Sequence, residues 1–392
     1  MNWKFSERAE NAKTSEIREL LKISGAPGWI SLAGGYPDPA LIPCEQLAEI
    51  AKEVVVNQGR KSLQYGATEG VLPLRETLLR IEAEGNANNL ELDNVIVTTG
   101  SQQGLDLLAK IFLNPGDKII VEAPSYLGAL QAFSFYGAKF ITVPLDENGI
   151  KTDLLRKKLK RNRKVKFIYL VPTFHNPAGG TLSLERRKET LELSQEFEIP
   201  VIEDDPYSKI RFEGNNLPSL LSIAGTEQVI KLGTFSKIIS GGFRLGWMVG
   251  AKELIKKAVL AKQSSDLCSP ALTQYLADEF IKKGLMEDYL KVVKREYRKR
   301  RDTMIQALEK HCSKRAKWTK PEGGLFVWVE TPGIDTDKLF EKAKEKKVAY
   351  VPGSAFYPYR EDRCHMRLNF SLPSCYEVEE GISRLGELLS VA

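Results

Sequence analysis

Cysteine and histidine are scarce in this chain. Its 392 residues hold five cysteines (Cys44, Cys268, Cys312, Cys364, Cys375) and three histidines (His175, His311, His365). The cysteines are scattered, odd in number and never spaced as a Cys-x-x-Cys pair, which argues against a zinc site and a disulfide framework. Three scattered histidines argue against a histidine-rich metal centre, so no metal is expected. No apolar run reaches the roughly 18 residues that a membrane span requires. The opening stretch, Met1-Asn-Trp-Lys-Phe-Ser-Glu-Arg8, lacks the apolar core of a secretory leader. The cytoplasm is therefore the expected compartment, and free thiols the expected state of the cysteines. Internal repeats and low-complexity segments are missing as well.

What is present is an ordinary globular composition on a chain long enough for two domains and a large core. The net charge is +6, with basic density in 156–166 and 291–301. A basic patch can attract nucleic acid. Here both runs are interleaved with apolar residues at helical spacing: Leu154, Leu155 and Leu159 in one, Tyr289, Leu290, Val293 and Tyr297 in the other. They read as solvated faces of amphipathic helices, and neither a nucleic-acid nor a membrane partner is expected.

The middle of the chain alternates short apolar runs with longer amphipathic stretches. Segments 95–99, 118–122, 165–171, 200–203 and 229–232 read as strands buried on both faces, and 105–113 and 184–197 as helices between them. That alternation implies βα units: an α/β fold with a mostly parallel central sheet flanked by helices. The flanks differ. A helix is expected at 15–23, followed by a Gly/Pro-rich loop. A long basic helix is expected over 285–312, then strands near 325–329, 348–351 and 364–370. The reading is a large domain at 41–284 and a smaller α+β domain formed by 1–40 and 285–392.

Each buried run ends in polar or Gly-rich residues that it does not need for burial: Gly100-Ser-Gln-Gln-Gly104, Ala123-Pro-Ser-Tyr126, Pro172-Thr-Phe-His-Asn-Pro-Ala-Gly179, Glu203-Asp-Asp-Pro-Tyr207, and Thr234-Phe-Ser-Lys237. The carboxyl ends of parallel strands face one edge of a sheet, where ligands bind. Five segments therefore supply groups to one crevice. Lys237 stands among the hydroxyls of Thr234 and Ser236, with Arg244 close behind. Partial burial and a cationic neighbour favour its neutral amine, the form that condenses with a carbonyl to a Schiff base. Hydroxyls and an arginine bind phosphate. A lysine imine together with a phosphate points to pyridoxal 5′-phosphate (PLP).

The other roles follow from what such a cofactor needs. Ser101 and Gln102 open a helix whose backbone N–H groups suit a phosphate, although a Gly-Ser-x-x-Gly turn is equally a plain helix start. Asp204 is the candidate carboxylate for a protonated ring nitrogen; the alternative for Glu203-Asp-Asp205 is an acidic metal cluster. Asn176 and Tyr207 can hydrogen-bond a ring oxygen. Tyr126 offers a stacking face, or serves as a core tyrosine. Arg367, within the apolar run Met366-Arg-Leu-Asn-Phe-Ser371, needs an anion: a substrate α-carboxylate or an internal salt bridge.

Taken in order, these segments resemble the PLP-dependent fold-type I aminotransferases of class I/II. The similarity is greatest to the branch with 2-aminoadipate, kynurenine and broad-range aromatic enzymes. The matching stretches also include Ser15-Glu-Ile-Arg-Glu-Leu-Leu21, Ser31-Leu-Ala-Gly-Gly-Tyr-Pro37, Leu63-Gln-Tyr-Gly66, Asn176-Pro-Ala-Gly179 and Pro321-Glu-Gly-Gly-Leu-Phe326, so nearly the whole chain is covered. The resemblance implies Lys237 as the Schiff-base lysine and proton-transfer base, and Asp204 on the ring nitrogen. It implies Asn176 and Tyr207 on the ring oxygen, Ser101, Gln102, Ser236 and Arg244 on the phosphate, and Tyr126 stacked on the ring. Tyr65 matches a tyrosine that reaches the neighbouring subunit's phosphate, which implies a homodimer with shared sites. Arg367 matches the α-carboxylate arginine, with Gly35 a backbone contact nearby. Arg18 matches an arginine that binds the distal carboxylate of acidic substrates. Thr234 stands where serine is more frequent, and Tyr36 where leucine is commoner.

The activity so implied is transfer of an amino group from an α-amino acid to a 2-oxo acid, with 2-oxoglutarate the expected acceptor in a ping-pong cycle. Two alternatives stay open at this point: a β-lyase or racemase on the same fold and cofactor, and a non-catalytic ligand sensor of the kind found in some transcription regulators. A sensor of that kind needs a helix-turn-helix domain, which is not expected in the short stretch before Gly34-Gly35.

Overall fold

The computed structural model describes residues 1, 3–10, 26–84 and 90–391. The helix expected at 15–23 lies outside them. At the centre is an eight-stranded sheet. Its strands in chain order are β1 (Val95–Thr98), β2 (Lys118–Ala123), β3 (Lys139–Asp146), β4 (Gly149–Ile150), β5 (Val165–Leu170), β6 (Val201–Asp205), β7 (Val229–Thr234) and β8 (Gly246–Val249). Across the sheet they run β1-β8-β7-β6-β5-β2-β3-β4. The central pairings β7–β6, β6–β5, β5–β2 and β2–β3 are all parallel. Strand β8 runs antiparallel to both its neighbours, and β4 antiparallel to β3.

Strands β1, β5, β6 and β7 are buried along nearly their whole length, because helices cover both faces of the sheet. Two strands depart from the expected pattern. β3 is half-buried along most of its length, with Val143 buried and Lys139 and Pro144 exposed, so its run does not read as a core strand. β8 is only four residues long, and its Gly246 start looks like a turn.

Helix Leu184–Phe197 begins where Ser183 Oγ accepts the Arg186 N–H at 3.2 Å and ends at Glu198 in the left-handed region, φ 53°. Helix Leu285–Cys312 buries Tyr289, Leu290, Val293 and Tyr297 on one face and packs against the C-terminal helix Cys375–Ser390. Helix Thr152–Arg161 buries Leu155 and Leu159 and turns its lysines outward. Among the described residues no helix is long and apolar enough to cross a membrane.

A second, smaller sheet is antiparallel, ordered β9-β10-β12-β11 from β9 (Lys317–Trp318), β10 (Phe326–Glu330), β11 (Val351–Pro352) and β12 (His365–Asn369). The strand expected at 348–351 is two separate pairings. Val351–Pro352 joins this sheet, while Val348–Ala349 pairs in parallel with Ile30–Ser31. Between them Tyr350 is buried, its hydroxyl donating to Thr336 O at 2.7 Å. The Ile30–Ser31 pairing brings the N-terminal segment alongside β12, where Asn369 N–H donates to Leu32 O at 2.8 Å. The chain then runs on to Gly35 and Tyr36, against the carboxyl edge of the large sheet.

Candidate active site

The carboxyl ends of β1, β2, β5, β6 and β7 converge on a cavity of about 510 Å³. Of the residues singled out in the sequence, it is lined by Ser101, Gln102, Tyr126, Asn176, Asp204, Tyr207, Ser236, Lys237 and Arg244, joined by Gly35 and Arg367 from the smaller domain.

One end of the cavity is built for an anion. Gly100 has φ +75°, and a Cβ there would lie 2.7 Å from Arg244 Nη2, so a glycine is required for the guanidinium to close over the turn. Helix Ser101–Phe112 follows with no side-chain cap; Gln103 N–H turns back to Gly100 O at 3.2 Å, and the N–H groups of Ser101 and Gln102 are without a backbone or side-chain acceptor among the described residues. Arg244 is itself left-handed, φ 51°, and Nη1 donates to Gly241 O at 3.3 Å. Gly246 allows the Ser101 turn to approach, since a Cβ there would come within 2.6 Å of the Ser101 nitrogen. Ser236 N–H donates to Thr234 Oγ1 at 3.1 Å, so Thr234 shapes the turn that holds Ser236 and Lys237.

At the other end lies a buried carboxylate. Asp204 Oδ2 accepts the Tyr169 hydroxyl at 2.7 Å, while Oδ1 is buried without a partner among the described residues. Burial pushes the Asp204 carboxyl up to about 7; the Tyr169 bond opposes this, and Asp205 and Glu122 add to it. Its neighbours in sequence do different work. Glu203 accepts the backbone N–H groups of Leu220 and Leu221, both at 2.9 Å, and Asp205 accepts from Ser208. The three carboxylates thus turn to separate partners and do not converge on one point. Among the described residues no group of three or more metal-ligating side chains converges.

Between the two ends stand Tyr126, whose hydroxyl burial lifts to about 12, and Tyr207, lifted further by the same cause. Both stay protonated. Asn176 Nδ2 is 3.5 Å from the Tyr207 hydroxyl, and Tyr207 meets the Phe326 ring edge-on at 6.1 Å.

Lys237 Nζ donates to Gly35 O at 2.7 Å. Burial, with the nearby Arg367 and Arg244 charges, lowers its amine to about 8. The Gly35 contact is therefore made through its carbonyl and to the lysine. Arg367 is buried: Nη1 donates to Asn176 Oδ1 at 2.8 Å, Nη2 to Ala33 O at 2.7 Å, and Nε has no partner among the described residues. Its guanidinium lies over the rings of Phe326 and Phe356, at 4.2 and 5.0 Å. Among the described residues no carboxylate pairs with it.

A phosphorylated pyridine aldehyde fits these residues. The uncapped helix start and Arg244 match its phosphate, the orphaned Asp204 Oδ1 its ring nitrogen, and the depressed Lys237 amine its carbonyl. Tyr65 does not line its own chain's cavity and is 80% exposed. Arg18 lies outside the described residues. Sequence reasoning missed Pro206 and Val171 in the cavity wall and Tyr169 behind Asp204. Only the position of Tyr169 on a strand adjoining that of Asp204 could have signalled it.

The sequence pattern of the family described as "Aminotransferase class I and II" matches residues 28–385. The chain is 45% identical to an aromatic-amino-acid aminotransferase 1 of Thermococcus litoralis, over 98% of this chain and 94% of that protein. It is 41% identical to a 2-aminoadipate transaminase of Thermus thermophilus, over 98% and 96%. Among solved structures, the kynurenine aminotransferase of Pyrococcus horikoshii, crystallised with PMP, superposes with a TM-score of 0.95 at 46% identity, covering 99% of this chain and 97% of that one.

Proposed function

The chain belongs to the aminotransferase class I and II family, and from that premise we propose how this PLP-dependent enzyme uses its residues. Lys237 Nζ carries the catalytic role: it would hold the cofactor, then take the proton from the substrate α-carbon and return it one position along. The bound cofactor supplies an electron sink for the charge left at that carbon. An amine lowered to about 8 has a neutral fraction near neutral pH, as a base in this position needs.

Asp204 Oδ1 would accept the ring N–H. Asn176 Nδ2 and the Tyr207 hydroxyl would donate to the ring oxygen. Ser101, Gln102, Ser236 and Arg244 would hold the phosphate, with Tyr126 across the ring. The Arg367 fork would receive the substrate α-carboxylate. Tyr65, exposed on its own chain, suits a reach into the cavity of a second copy, so the working unit is a homodimer with shared sites. The large domain is assigned to 41–284 and the small one to 1–40 with 285–392.

The donor is an α-amino acid of broad range, with aromatic side chains and 2-aminoadipate foremost. Tyr36, Tyr126 and Leu127 offer an apolar wall for the first. Arg18 is the candidate for the distal carboxylate of the second. The acceptor is 2-oxoglutarate in a ping-pong cycle, and the compartment the cytoplasm.

The observation that carries this reading is the meeting, in one cavity, of a depressed amine with a carboxylate oxygen and a guanidinium nitrogen that lack partners among the described residues. The test is to supply phenylalanine, kynurenine, 2-aminoadipate and leucine singly, with and without 2-oxoglutarate. Glutamate formation with parallel double-reciprocal plots is expected. Pyruvate released from a β-substituted amino acid without acceptor, and no glutamate, would instead identify a lyase.

A further inference from the structure

We propose that Tyr169 is a positioning residue for the cofactor: its hydroxyl turns the Asp204 carboxylate so that Oδ1 faces the cavity, and helps keep that carboxylate ionised. The inference rests on the reading of Asp204 as partner of the ring nitrogen.

Tyr169 lies on β5, opposite Ile202 of β6, and is fully buried. Burial of the ring alone would be served equally by phenylalanine. Phe133 already holds it edge-on at 5.5 Å. Among the described residues the hydroxyl has one partner, Asp204 Oδ2, at 2.7 Å. A carboxylate with one oxygen fixed has its plane fixed, and the unpartnered Oδ1 is what remains to meet a ligand.

The charge environment gives the bond a second role. Asp205 on the same strand and Glu122 on β2 both disfavour the anion, and burial disfavours it most. His175 Nε2, 3.2 Å from Glu122, is engaged with that carboxylate and not with Asp204. The Tyr126 and Tyr207 hydroxyls facing the cavity are held neutral by burial, and Lys237 and Arg367 lie across the cavity as its cations. Tyr169 is the one side-chain donor that the described residues give Asp204. Burial holds its own phenol well above the usual range, so it remains a donor throughout the working pH. Hydrogen bonds to a charged group are the strong ones, and removing one commonly changes an equilibrium by about tenfold or more.

The test titrates apoprotein with pyridoxamine 5′-phosphate, which forms no bond to Lys237, from pH 5 to pH 9. Wild type is compared with Tyr169→Phe, Asp204→Asn, the double variant and Phe133→Leu. Tyr169→Phe should bind about tenfold more weakly near neutrality, and its acid-side loss of affinity should move to higher pH. Asp204→Asn should bind more weakly and lose that acid limb, and Tyr169→Phe added to it should change nothing further. Phe133→Leu, which loosens the ring without touching the hydroxyl, should leave the limb in place.

Asp204→Asn binding as tightly as wild type at every pH would remove the underlying reading of Asp204. Weakening in Asp204→Asn but none in Tyr169→Phe would overturn this inference alone. So would a full further loss in the double variant, a limb shift in Phe133→Leu, or a Tyr169→Phe protein that fails to melt cooperatively. Each of those last results makes the residue structural.

Discussion

Lys231 and Lys237 belong to the same stretch of chain, one within β7 and one just beyond it, yet burial leads them to opposite chemistry. Lys231 Nζ is 2.8 Å from Glu82 and 3.4 Å from Asp205. Those two carboxylates, with Glu203, more than offset desolvation and raise its amine above the usual range. Lys237 has a carbonyl oxygen as its hydrogen-bond partner and two arginines nearby, and its amine falls to about 8.

The same division runs through β6. Glu203 and Asp205 point to the face of Lys231, where Arg187 and Trp247 complete a paired cluster. Asp204 points to the other face and is left, among the described residues, with an unpartnered oxygen. Strand alternation therefore separates a cluster whose charges are paired with one another from a cavity whose charges await a ligand. Buried charge by itself does not mark a site; buried charge without a partner does.

The sharpest way to break this contrast is Lys237→Ala. Transamination should fall by at least about a thousandfold while the melting temperature of the apoprotein holds, read by single-turnover amino transfer and thermal unfolding. Arg367→Ala comes next. It should lower kcat/KM for amino donors by about a hundredfold, mainly through KM, because it removes charge-assisted bonds to the substrate carboxylate.

Lys231→Met should do the reverse. It would strand Glu82 and Asp205 as buried charges and cost about 3–5 kcal/mol in denaturant unfolding. The kcat/KM of the folded fraction should stay near wild type.

The smallest effect sharpens the comparison through pH. Asp204 has a folded value of about 7 against 3.8 for an ordinary aspartate carboxyl. Below 3.8 both states are protonated. Between the two values the folded apoprotein holds a proton that the unfolded chain has released, so stability falls as pH rises and levels above 7. Asp204→Asn removes that dependence. The variant's melting temperature relative to wild-type apoprotein should climb from pH 4 to pH 7 and then stay level.

How legible this was in the sequence depended on whether a residue broke its local pattern. The polar ends of β1, β2, β5, β6 and β7 were visible because nothing in their apolar runs calls for them. The bounds of the helices Leu184–Phe197 and Leu285–Cys312 were visible because Ser183 caps one and Gly284, at φ +74°, opens the other. Tyr169 was not visible, since a tyrosine in Val165-Lys-Phe-Ile-Tyr-Leu170 looks like any aromatic core residue until the adjoining strand puts Asp204 beside it. Strand β8 was hidden because its role is set by the Trp247 ring lying across Gly233, where a Cβ would come within 2.1 Å of the indole. The division at Tyr350 was likewise hidden, because an unbroken apolar run carries no mark of which sheet each half will join.

The most direct test of the central claim is to reduce the purified holoenzyme with borohydride, digest it and locate the pyridoxyl group by mass spectrometry. The group should be found on Lys237 alone, with Lys231 unmodified. A pyridoxyl group on Lys231 or another lysine, or none anywhere on a protein that still transaminates, would contradict the account.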